Sequence, residues 1–425
     1  MEKNLYAIKG DICYSKTLTE LETMEQGFLV CKDGLVEGVF QELPEEYSQI
    51  PVKDYGKQMI IPGLSDLHMH APQYTYCGLH MDLELLDWLN QYTFPAEAKY
   101  EDPEYARETY QRFVDKMVKS ATTRACIFGT IHVEGTLVLM ELLEKAGLHT
   151  MVGKVNMDRN SPDYLREKSV ELAVKGTEYW VQESKKRFKK TIPMLTPRFT
   201  PSCTDELMQE LKKIQKEYQL PFQSHLSENR GEIEWVKELC PYAGYYGQAY
   251  SHFDLFGGDC PTVMAHCIYS CEEEIQEMKE KGVYVAHCPE SNMNVVAGIA
   301  PVRRYLQEGL HVGLGSDVAG GTTENLFVAM MHAIQASKLR WRLVDDTLDP
   351  LTVPEVFYLA TKGGGEFFGK VGSFEKGYEF DAVVLDDSNI PNQSGLTIAE
   401  RLERFIYLNQ EKDIKAKYVA GEQVL

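Results

Sequence analysis

Between residues 105 and 315 the chain alternates between two textures, and that alternation limits the folds open to it. Stretches with helical apolar spacing, at 105–120, 136–146, 204–218 and 271–281, separate short apolar runs. The runs lie at 124–128, 150–155, 222–225, 262–265, 283–286 and 311–315. Apolar runs of strand length between helices predict a parallel sheet, because parallel neighbours can be joined only by a crossover. An eight-fold barrel and a doubly wound open sheet both satisfy this. Polar residues crowd the ends of the runs, where barrel enzymes gather their sites. No GxGxxG follows an early strand, as a dinucleotide-binding open sheet would require; Lys362-Gly363-Gly364-Gly365 follows a helix-like segment instead.

The two ends read differently. Residues 1–60 look like short strands, with Asp33-Gly34 as a two-residue hairpin turn between 27–31 and 35–40. Stretches 381–385 and 416–421 share that texture. The expected fold is α/β: a (β/α)8 TIM-like barrel over residues 63–372, with a small β-sandwich domain formed by both termini, residues 1–62 and 373–425. A length of 425 residues suits one barrel with an appendage.

The run ending in His68-Met69-His70 follows a Pro62-Gly63 break. Side chains at i and i+2 of a strand share a face, so these two imidazoles can grip one ion. Further donors fall at later strand ends: His225, His266 and Asp317, with Glu228 three residues past His225. Glycines before Asp317 let its backbone come close to the site. Any one of these histidines, taken alone, reads more readily as a hydrogen-bonded core or surface group. The set at strand ends is what points to a metal. A catalytic zinc lowers the pKa of water from about 15.7 toward ~7. Asp317 is typed to accept the proton released, and Glu228 to protonate a substrate. Zinc is the expected cofactor, one per chain, with Fe2+ or Mn2+ equally compatible with His and Asp ligands.

Other candidates carry less. His80, His149, His252, His311 and His332 lie in loop, turn or helix-like contexts. His287 is a reserve ligand that more readily shapes a loop beneath the site, with Asn292 and Asn294 supporting turns. His132-Val133-Glu134 matches half of a cytidine-deaminase zinc motif but lacks the P-C-x-x-C half. Lys154 could be a carboxylated bridging ligand; a structural role is preferred. The segment 238–259, rich in Tyr and Gly, reads as a lid or an interface.

A net charge of -20 disfavours nucleic acid and anionic membrane as partners, though not an uncharged nucleobase. The ten scattered cysteines form no CxxC pair and read as free thiols. The first residues lack a signal-peptide apolar core and no window would span a membrane, so the cytoplasm is expected.

The Pro-Gly-x-x-Asp-x-His-x-His run, the later His-x-x-Glu, the strand-end His and Gly315-Ser316-Asp317 resemble the amidohydrolase superfamily, in its single-metal aminohydrolase branch. Ala360-Thr361-Lys362-Gly363-Gly364 and the stretch 372–382 resemble it too. The stretches His70-Ala71-Pro72-Gln73-Tyr74, Leu86-Asp87-Trp88-Leu89-Asn90, Thr93-Phe94-Pro95, Thr196-Pro197-Arg198-Phe199 and 223–229 are similar to guanine-deaminating members of that branch. The resemblance implies zinc held by His68, His70, His225, His266 and Asp317. It implies catalysis by Glu228, Asp317 and His266, with guanine bound by Gln73, Trp88, Arg198, Phe199, His225 and Glu228. Hydrolysis at C2 would give xanthine and ammonia. A homodimer is implied as well. The chemistry of guanine agrees: Gln and Arg offer donors to its carbonyl and ring nitrogens, and aromatic rings can cover its face. For Trp88 the competing reading is helix core, and for Arg198 a surface ion pair. Two rival functions remain: deamination of another aminated heterocycle (a modified purine, pterin, adenosine derivative or triazine), and a non-catalytic scaffold.

Overall fold

The computed structural model describes residues 5–391 and 394–425. Both chain ends enter one seven-stranded mixed sheet. Its central strands are Ala382–Leu385 and Val52–Pro62, paired antiparallel, and Leu5–Ser15 runs parallel to the latter. The predicted hairpin joins Leu21–Lys32 to Leu35–Phe40. Asp33 and Gly34 both take positive φ, 53° and 82°, as the two-residue turn that follows strand twist requires. Strand alternation then sorts the side chains. Ile60, Val384 and Tyr418 enter a cluster belonging to this sheet, while Met59, Ile61, Val383 and Leu385 join the main core.

The middle of the chain supplies two four-stranded parallel sheets. One holds Leu64–His70, Thr122–Phe128, His149–Gly153 and Thr191–Pro193; the other holds Phe222–Leu226, Thr262–His266, Tyr284–His287 and His311–Leu314. Leu64–His70 and Thr122–Phe128 are buried at every residue, as expected of strands covered on both faces. Backbone bonds cross between the sheets at both sides. The Gln223 N–H donates to the Leu195 carbonyl (3.0 Å), and the Asp317 N–H to that of His68 (2.8 Å).

Helices fall where the apolar spacing placed them, as Pro103–Lys119 illustrates. Asp102 caps it through the Glu104 N–H, proline stands in its first turn, and Ala106, Tyr110, Phe113 and Met117 form the buried stripe. One expected run, 150–155, is interrupted: the strand stops at Gly153 and resumes as Val155–Asn156. His149 and His311 open strands rather than lying in loops. No helix among the described residues is long and apolar enough to cross a membrane.

The terminal sheet is locked to the rest by buried charge. Arg124 grips Asp381 with two bonds (2.6 and 2.8 Å) and reaches Glu379 (2.6 Å). The Lys417 ammonium donates to the carbonyls of Met117, Ser120 and Thr122 (2.6, 3.0 and 3.0 Å).

Candidate active site

The C-terminal ends of the parallel strands bring the predicted donors together. His68 and His70 project from one face of Leu64–His70, His225 from Phe222–Leu226, and His266 ends Thr262–His266. Asp317 lies three residues beyond His311–Leu314. The Nε2 atoms of His68 and His70 are 3.2 Å apart, and those of His70 and His225 3.3 Å. Asp317 Oδ1 lies 3.2 Å from His68 Nε2 and 3.5 Å from His70 Nε2, and Oδ2 lies 3.8 Å from His266 Nε2. Donors about 2.0–2.1 Å from one tetrahedral ion would stand roughly 3.3 Å apart. The cluster therefore fits an ion.

The protonation states agree. Burial, helped by the neighbouring His68, holds His70 and His225 well below the ordinary imidazole range, which favours the neutral form that can bind a metal. Burial alone would raise Asp317, but His68, His266 and His70 draw its carboxyl below the usual range. Two hydrogen bonds aim the rings. His225 Nδ1 donates to the Arg198 carbonyl (2.6 Å) and His266 Nδ1 to Asn292 Oδ1 (2.8 Å), leaving each Nε2 lone pair to face the cluster. Asn292, expected to support a turn, does so through its carbonyl, which accepts from the Ala297 and Gly298 N–H groups (2.9 and 3.1 Å), and its side chain also fixes the His266 ring.

Glu228 stands beside this cluster, its Oε2 3.5 Å from His266 Nε2. Burial, then the charge of Asp317, pushes its carboxyl well above the ordinary range. Glu232 holds the loop by accepting from the Glu228 and Asn229 N–H groups (3.2 and 3.3 Å). Behind it, Tyr246 donates to Glu232 (2.7 Å), and the Tyr250 hydroxyl donates to the His225 carbonyl (2.9 Å). Both tyrosines are buried. Within the segment 238–259 these side chains prop the site from beneath.

A cleft over the cluster is lined by Gln73, Trp88, Arg198, Phe199, His225 and Glu228, with Leu85, Leu89 and Val295 as apolar walls. Trp88 thus faces the cleft as well as packing on Tyr76, at 5.7 Å between ring centres. Arg198 is no surface ion pair. It is 3% exposed, and its Nη1 meets Glu97 Oε2 at 2.7 Å. Glu97 also accepts from Gln73 Nε2 (3.0 Å). The sequence reading missed Glu97; its one signal was an acid three residues after Phe94 in an otherwise apolar stretch.

The remaining candidates lie elsewhere. Lys154 is ion-paired with Glu167. His132 stands just ahead of helix Val133–Ala146. His287 ends a strand, its imidazole pushed down to about 3 by burial and by His266. All ten cysteines are free thiols.

Comparison with known proteins adds four likenesses. The family model described as Amidohydrolase family matches residues 59–424. Guanine deaminase of Rattus norvegicus is 41% identical over 87% of this chain and 83% of its own length, and that of Dictyostelium discoideum 35% over 99% and 98%. A crystal structure of guanine deaminase from C. acetobutylicum, with guanine bound in the active site, shares 45% identity and superposes with a TM-score of 0.96, covering 99% of this chain and 100% of that one.

Proposed function

This chain belongs to the amidohydrolase family, and we propose that it hydrolyses guanine to xanthine and ammonia. One observation carries the reading: a cluster of four histidines closed by Asp317, spaced to hold an ion, opens into a single cleft shared with Glu228 and the Gln73–Arg198 wall.

His68, His70, His225, His266 and Asp317 are the residues that would hold zinc, one ion per chain. Bound there, zinc would supply Lewis acidity that makes water nucleophilic at neutral pH. Asp317 accepts the proton of the attacking water at a carboxylate oxygen. His266, its Nδ1 fixed by Asn292, turns Nε2 toward the same place, either to the ion or to that water. Glu228 gives its proton to N3 of guanine, which lets the ring take up electrons as the bond to C2 forms. The proton held by Asp317 passes to the 2-amino group, and collapse of the tetrahedral centre breaks the C2–N bond and expels ammonia, so guanine and water become xanthine and ammonia. Gln73 and Arg198 orient the carbonyl edge, and Phe199 and Trp88 flank the ring. His225 serves both the ion and the cleft.

The same reading extends to the architecture. The two parallel sheets, joined at both sides, form one (β/α)8 barrel over 63–372, and the seven-stranded sheet of 1–62 and 373–425 folds over its own apolar cluster as a small sandwich. The enzyme works as a cytoplasmic homodimer, bound to neither nucleic acid nor membrane. A silent scaffold would have shed ligands, and every one is present.

The test is ammonia release and product mass with guanine on zinc-loaded protein. Xanthine at a rate on the order of 1–10³ per second is expected. No turnover, with about one ion bound per chain, would move the substrate to another aminated heterocycle.

A further inference from the structure

We infer that Glu97 is the positioning residue that makes the cleft select a 6-oxo purine over a 6-amino one. This rests on the guanine reading above and deepens it. Glu97 is 1% exposed and spans both members of the recognition wall, accepting from Gln73 Nε2 (3.0 Å) and Arg198 Nη1 (2.7 Å). The Phe94 ring lies 5.2 Å from the Arg198 guanidinium, holding it from another side.

The consequence lies in the Gln73 amide. Its two ends look alike in shape, so neighbours decide which way it faces. Here both neighbours are unambiguous. Glu97 beside an arginine is an acceptor, so the group facing it is the NH2. The Ala319 N–H is only a donor, and it meets Gln73 Oε1 at 3.3 Å. That bond fixes the direction of the amide and occupies one lone pair of its oxygen, so toward a ligand Gln73 offers its remaining N–H beside a single free lone pair. Arg198 has nothing but N–H groups, and beyond the Glu97 bond its guanidinium makes no other hydrogen bond among the described residues. With the Arg198 guanidinium beside it, the wall is therefore predominantly donor. A carbonyl oxygen satisfies it, whereas an exocyclic amine brings donors against donors and strands them without partners. Replacing Glu97 by Gln introduces an amide that can donate to Gln73 Oε1. The Gln73 amide is then free to turn, and the wall becomes mixed.

The experiment compares guanine with 2,6-diaminopurine, which carries the same 2-amino group and would give isoguanine and ammonia by the same hydrolysis. Wild type should favour guanine in kcat/KM by at least about 10²-fold. Glu97→Gln should bind metal fully, raise KM for guanine more than it lowers kcat, and narrow that preference by about tenfold or more. Glu97→Asp, which keeps the carboxylate, should restore most of the preference. An unchanged preference in a folded, metal-replete Glu97→Gln enzyme overturns the inference while leaving guanine deamination standing. Competitive inhibition of wild type by hypoxanthine and by adenine tests the wall that Glu97 is inferred to set, and does so even if guanine is not turned over. Hypoxanthine should bind by at least about tenfold more tightly; equal binding sinks the donor wall and with it the role given to Glu97.

Discussion

Asn292 accepts the Nδ1 proton of His266, and this bond settles which ring nitrogen faces the donor cluster. Asn292→Ala should lower metal affinity or kcat by about 10–100-fold, the usual effect of removing the partner of a metal-facing histidine. Metal titration beside steady-state rates checks it, and full affinity at an unchanged rate would remove Asn292 from this role. Glu228 calls for a different outcome, because it approaches the cluster without belonging to any of the donor groups that could hold an ion. Glu228→Gln should keep its metal and lose about 10²–10⁴-fold in turnover; an active variant would take the proton transfer away from Glu228. Asp317→Ala, by contrast, should cost both. The five donors and Glu228 were legible in the sequence because each sits at a strand end that the apolar runs mark. Glu97 and Asn292 were not. Glu97 acts on Gln73, 24 positions away, and on Arg198, 101 positions away. No local pattern encodes such a meeting.

Strand ends deliver the ligands only if the backbone between them can approach closely. Ser227, His266, Cys267 and Asp317 all take positive φ, between 48° and 74°, just where strands stop and side chains turn into the cluster. Such conformations cost about 1–3 kcal/mol each and persist where surrounding structure enforces them. The strand ending at Leu314 shows the approach most directly. A Cβ on Gly315 would stand 2.7 Å from Cys288 Sγ and 2.9 Å from His68 Cβ. Gly315→Ala should therefore displace His68, lower zinc occupancy and destabilise the fold by about 1–3 kcal/mol. Zinc content and the thermal midpoint of the purified variant test this; normal values for both would show that the strand can shift without disturbing the ligand. The need for small residues before Asp317 could be read from Gly313 and Gly315 in advance. The identity of the colliding neighbour could not, because it depends on which strands lie side by side.

At the scale of the molecule, the terminal sheet must stay fixed to the parallel strands, since Leu64–His70 begins just past the end of Val52–Pro62. Arg124 makes that attachment from Thr122–Phe128, across a sequence separation of 257 from Asp381. Short apolar runs identified both strands, but a buried ion pair between them leaves no periodic trace. Burial alone would raise Asp381, yet Arg124 outweighs it and holds the carboxyl below its ordinary range. A carboxyl whose folded pKa is depressed stabilises the protein above its unfolded value, near 3.9, and the contribution is lost as pH falls through the folded value. Arg124→Met leaves Asp381 buried without its cation and should cost about 3–5 kcal/mol at neutral pH. Protonating Asp381 removes the uncompensated charge from the variant and the pairing from the wild type. The two stabilities should therefore converge as the pH is lowered toward and below about 4. Denaturant unfolding of both proteins across pH 3–7 would show it. A gap that stays constant over that range would mean that Arg124 acts through packing and its bond to Glu379, and that its charge on Asp381 is not what holds the terminal sheet in place.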